Sequence, residues 1–127
     1  MRKITTTIYL SLTILLGNVG MSTSADFQMG LSAAQSGDFA TALREWTPLA
    51  ILGNAAAQFN LGVMYVNGTG VVKDDVYAHL WWSIAASSGD KGAIENRDIV
   101  AKQMTPAKIA EVEKLARKCV RKKYIGC

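Results

Sequence analysis

The feature that most constrains this chain is an internal repeat. Asp38, Ala42, Trp46, Ala50 and Gly53 recur 36 residues later as Asp74, Ala78, Trp82, Ala86 and Gly89, and Ala57 returns as Ala93. Upstream, Phe27 and Gly30 pair with Phe59 and Gly62 at an offset of 32. The four extra residues fall in a longer turn of the second unit, between Asn67 and Asp74. A fixed period of this length marks stacked units, none of which can bury its apolar face alone.

Within a unit the spacing is helical. Ala42, Trp46, Leu49, Ala50 and Gly53 recur at three and four. Asp38 and Asp74 suit N-caps, because a short carboxylate accepts orphan backbone N–H groups. Gly53 and Gly89 stand where a helix end takes positive φ. This predicts six helices, at about 26–36, 38–52, 54–67, 74–88, 90–103 and 106–121. The last opens with Thr105 as N-cap and Pro106 in the first helical position. Pro48 should kink or restart the second helix, since it supplies no N–H. The expected fold is all-α, a short α-solenoid of about three stacked helical hairpins.

The first 25 residues read as an address. Arg2 and Lys3 precede an apolar run from Ile8 to Val19, and Met21–Ala25 is a small-residue cleavage zone. The run is short of the roughly 20 residues of a permanent anchor. We expect a signal peptide at residues 1–25, cut after Ala25, and a repeat domain at 26–127. That places the domain in the periplasm or outside the cell, where a disulfide is permitted.

Charge then divides sharply. The whole chain carries 14 Lys and Arg against 10 Asp and Glu. Residues 114–127 hold six basic groups and no acid, whereas residues 26–113 hold six basic and ten acidic. A general affinity for nucleic acid is therefore not expected. Any electrostatic contact should lie between Lys114 and Lys123, with an acidic partner or anionic lipid on the other side, unless these cations only stabilise a helix C-terminus.

The second unit resembles the Sel-1-like repeat family, relatives of the tetratricopeptide repeat. The residues that carry the likeness are Ala57, Leu61-Gly62, Tyr65, Gly68-Thr69-Gly70-Val71, Asp74, Ala78, Trp82, Ala85-Ala86 and Gly89. Residues 26–53 are a degenerate unit without the Gly-x-Gly loop, and 90–127 resemble a terminal pair. The resemblance implies a module for protein–protein contact or scaffolding, here in a bacterial cell envelope, with no cofactor, no metal and no catalysis. Its motif positions serve turns and packing, so they explain the fold and not the partner.

Cys119 and Cys127 are eight apart, a spacing similar to the disulfide-linked hairpins of cysteine-rich secreted members of the family. An intramolecular bond, two free thiols and an intermolecular or redox role all remain open from spacing alone. Ser88-Gly89-Asp90-Lys91 has the Ser-x-x-Lys form of β-lactamases, without their second and third motifs. Weak β-lactam binding or hydrolysis, associated with some cysteine-rich members, is therefore the alternative function. His79 lacks the partners of a metal site or a general base, so it is expected on the surface or in a groove. Asn67-Gly68-Thr69-Gly70 lacks the Lys-Ser/Thr of a phosphate loop.

The candidate partner-binding residues lie on two helices. Trp81 points about 100° away from Trp82, and Tyr77 shares its face. The pair is either an exposed aromatic strip or a contact with the next helical pair. On the preceding helix Phe59 and Val63 share one stripe and Asn60 and Met64 another, between the structural positions. In a stacked repeat some of these four should face a concave groove.

Overall fold

A repeat that recurs in tryptophan and glycine has a mechanical explanation in this structure. The computed structural model describes residues 19–127. They form six helices: α1 (Val19–Gln35), α2 (Phe39–Ile51), α3 (Ala55–Asn67), α4 (Asp75–Ser87), α5 (Lys91–Ala101) and α6 (Pro106–Arg121). No strand occurs among the described residues. Asp38, Asn54, Asp74, Asp90 and Thr105 cap α2 to α6, each side chain accepting the backbone N–H three residues on. Gly53 and Gly89 follow helix ends at φ 93° and 92°, where a Cβ would be strained.

The first two hairpins, α1–α2 and α3–α4, are locked in the same way. Trp46 donates its indole N–H to the Phe27 carbonyl at 3.2 Å, and Trp82 donates to the Phe59 carbonyl at 3.1 Å. Each indole lies over a glycine of the partner helix, Gly30 or Gly62, where any Cβ would clash with the ring at less than 3 Å. The rings of Phe27 and Phe59 stand 6.0 and 6.5 Å from their tryptophans. Small residues let the helices approach, and the indole fills the space beside them. Gln58, fully buried, adds a tie from α3 to α2 by donating to the Ala50 carbonyl at 3.0 Å.

The third pair departs from this plan. α5 and α6 each pack on α4, and α4 meets α3, α5 and α6. Between α5 and α6 there is no comparable packing. Counting from the N-caps shows why. Eight residues after the cap, α2 and α4 carry Trp46 and Trp82, whereas α6 carries Glu113. Eight after its cap α3 carries Gly62, whereas α5 carries Asp98, and one position earlier Leu61 is replaced by Arg97. Charges occupy the lock positions, so the hairpin stays open.

α6 instead lays Val112, Ala116 and Cys119 against the core formed with Leu80, Trp81 and Ile84. This decides between the two readings of Trp81 in favour of contact with the next helical pair. Trp81 is 3% exposed and is a core residue, because α6 returns to cover its face of α4. Met64 is likewise 3% exposed, lying under the loop at Gly70. His79, expected at the surface, is 1% exposed.

Two boundaries also differ. α1 begins at Val19, seven residues before the expected start, and runs through the predicted cleavage point in this uncleaved chain. The basic residues and most of the apolar run of the predicted signal lie outside the described residues. α2 continues through Pro48 without a restart. The Arg44 carbonyl that proline leaves unpaired lies on an exposed turn, where water can satisfy it. No described helix is long and apolar enough to cross a membrane.

The chain ends in a closed loop. Cys119 and Cys127 are disulfide-bonded with Cα atoms 5.8 Å apart. Lys123 and Tyr124 take left-handed φ of 51° and 66°, and the Tyr124 ring rests on Gly53 at the end of α2. The Tyr77 hydroxyl donates to the Cys127 carbonyl at 3.1 Å. The loop thereby pins the C-terminal end of α6 to α4 and to the α2–α3 turn.

Candidate functional site

Opening the third hairpin leaves a cleft of about 650 Å³ over α4. Its floor is Ser83, Ala86 and Ser87 of α4. Ile94 and Arg97 of α5 form one wall. Glu113, Ala116, Arg117, Val120 and Arg121 of α6 form the other. The volume is that of a site for a small molecule or a short peptide segment.

Three guanidinium groups face one carboxylate in this cleft. Arg97 pairs with its exposed neighbour Asp98 at 3.1 Å. Among the described residues, neither Arg117 nor Arg121 has an acidic partner within 4 Å. They stand one turn apart on the same face of α6 and are exposed. Arg presents planar, bidentate donors to carboxylate or phosphate and stays charged throughout the physiological range. Between the charges, Ala86, Ile94, Ala116 and Val120 provide apolar surface.

His79 lies beneath this cleft, its Nδ1 3.1 Å from the Ser83 hydroxyl. Burial, and secondarily the positive charge of Arg97, hold its pKa below the ordinary imidazole value, with Glu113 and Asp98 opposing. It is a neutral core group at pH 7. No group of three His, Cys, Asp or Glu among the described residues could hold a metal ion.

The residues singled out from sequence are scattered by the fold. Phe59 is half-buried against Trp82 and Gly92, with its carbonyl accepting the indole N–H. Tyr77 packs on Tyr65 at 4.7 Å and holds the chain terminus. With Trp81 and Met64 buried, only Asn60 and Val63 keep partly open side chains free of such a duty. Val63 lines a second hollow of about 260 Å³ between α3 and α5, with Val66, Ile99 and Gln103. The Ser88 hydroxyl is committed to the Ala85 carbonyl at 2.8 Å, as part of the end of α4. Of the basic segment Lys114 to Lys123, Arg117 and Arg121 reach the cleft. Arg97 and Glu113 were not anticipated. The signal that finds them is the count from each N-cap, which sets them in the register of the missing lock.

Residues 55–90 match the family model of the Sel1 repeat. A search of curated proteins finds no significant match. The matched stretch runs from the start of α3 to the N-cap of α5, and so contains the whole α3–α4 hairpin with its Gly62–Trp82 lock. Sel1 repeats point to protein partners. Residues 55–90 are thus a Sel1-like repeat, and they stand within an all-helical array of which the α3–α4 hairpin is the complete repeat.

Proposed function

We propose that this chain is an exported, non-catalytic interaction module of a bacterial cell envelope, and that its partner contacts the cleft between α4, α5 and α6. One observation carries the reading: the repeat's motif residues are consumed by packing, while the third hairpin is held open by charge and leaves an accessible cleft. Export is supported by the order of basic, apolar and small residues at the N-terminus. It is supported also by the Cys119–Cys127 bond, since such bonds persist in oxidising compartments.

The test is made in the producing cell. Fractionation followed by mass determination should find the chain in the envelope, beginning at Asp26 and oxidised. Crosslinking and pull-down should then recover a protein partner in fixed proportion. A cytoplasmic chain that keeps its first 25 residues contradicts export, and an envelope chain that crosslinks to nothing contradicts the module. Purified protein should not turn over a chromogenic β-lactam. Turnover lost in Ser88→Ala would replace this reading with an enzymatic one.

A further inference from the structure

We propose that the cleft between α5 and α6 receives an acidic amphipathic helix of a partner protein. The inference rests on the interaction reading above and specifies the partner's chemistry. The space is bounded by two helices that diverge over a third, the shape into which a further helix lays its apolar face. Regular repeats would close this space with their own indole lock, and here Glu113 and Asp98 stand in its place.

Charge selects the occupant. Arg117 and Arg121 are four residues apart on one face, so their guanidiniums match carboxylates placed at i and i+4 on a facing helix. Neither is engaged by an acid among the described residues. Between them and α5, the apolar surface of Ile94, Ala116 and Val120 receives one aliphatic side chain of the same helix. Lys118, Lys122 and Lys123, exposed nearby, add a positive field that speeds encounter with an acidic partner. Anionic lipid would satisfy the surface lysines but has no use for a walled cleft with apolar surface set between its charges.

The probe is a synthetic amphipathic peptide carrying Glu at i and i+4 around a Leu, titrated into the oxidised full chain labelled with ¹⁵N. Amide shifts should concentrate at Ser83, Ser87, Ile94, Arg97, Arg117 and Arg121. The Arg117→Ala, Arg121→Ala pair should weaken binding by about tenfold or more, as expected for lost charge-assisted hydrogen bonds. Lys91→Ala with Lys102→Ala removes equal exposed charge outside the cleft and outside the basic segment and should leave binding within about twofold, since exposed charges contribute little. A Gln version of the peptide should bind as weakly as the arginine variants do. Circular dichroism verifies that each variant stays helical.

Equal weakening by both pairs of substitutions overturns the proposal, because it reports only net charge. Shifts at the Val63 and Ile99 hollow overturn it, as does the absence of shifts at millimolar peptide. So does a response to vesicles of anionic phospholipid without a response to peptide. If these results coincide with a partner recovered in the envelope, the interaction module stands and its site lies elsewhere.

Discussion

The α3–α4 and α5–α6 pairs are built to one register and have opposite fates. In α3–α4 the position eight after each cap holds Gly62 and Trp82, the indole covers the glycine, and the hairpin zips shut. In α5–α6 the same positions hold Asp98 and Glu113, and the helices rest on α4 without closing on each other. Two carboxylates cannot replace a buried indole and a bare backbone, because they would lose hydration with no partner across the gap. On the proposed reading, the contact surface lies where the repeat is broken. A complete repeat exposes little that is free to act.

That contrast predicts unequal costs for matched substitutions. Trp82→Ala should destabilise the chain by about 3–5 kcal/mol in urea unfolding, as a buried aromatic does when a cavity is left. Glu113→Ala, its counterpart in the open hairpin, should stay within about 0.5 kcal/mol. Comparable losses for the two would mean that the third hairpin is also closed. Gly62→Ala comes next, at about 1–3 kcal/mol, since its Cβ would clash with the Trp82 indole. Asp98→Ala should again be nearly silent, because Asp98 is exposed.

The disulfide separates the same two regions. Reduction, or Cys119→Ser with Cys127→Ser, should cost about 2.5 kcal/mol on the chain-entropy estimate for so short a loop. Hydrogen exchange should quicken at the end of α6 and at Tyr77, whose hydroxyl holds the Cys127 carbonyl. Protection within α3 should be unchanged. If exchange instead rises uniformly, the terminal loop is part of the global unit and not a clamp on α6.

The smallest effect is in pH. His79 is neutral in the folded chain, with its pKa lowered chiefly by burial. Below its ordinary pKa of about 6.5 the unfolded chain binds the proton more readily, so stability should fall as pH drops through and below that value. His79→Gln should flatten this part of the profile while leaving the behaviour of the carboxylates at lower pH. A profile unchanged by the substitution would show that the imidazole is accessible to protonation in the folded state.

How much of this was legible in the sequence follows from the range of each contact. The locks were legible, because Trp46 and Trp82 recur with the glycines they cover and their partners lie in the neighbouring helix. The capped starts of α2, α4 and α6 were visible for the same local reason. Trp81 was legible only as a choice between exposure and contact with the next helical pair, because its burial depends on α6 docking on α4 from 25 or more residues away. His79 was misplaced because the groups around it, Arg97 and Asp98 of α5 and Glu113 of α6, are likewise brought to it from a distance. The cleft could be glimpsed only as a run of basic residues, since Arg97 belongs to another helix and is joined to Arg117 and Arg121 by the fold alone.

The central claim, that the broken hairpin is the working surface, is tested most directly by a photocrosslinker placed residue by residue in the producing cell. Introduced at Ser87 or Arg117, inside the cleft, it should trap one partner, and introduced at Ala40 on the exposed side of α2 it should trap none. A partner captured at Ala40 or Asn60 and absent at Ser87 and Arg117 would contradict the account.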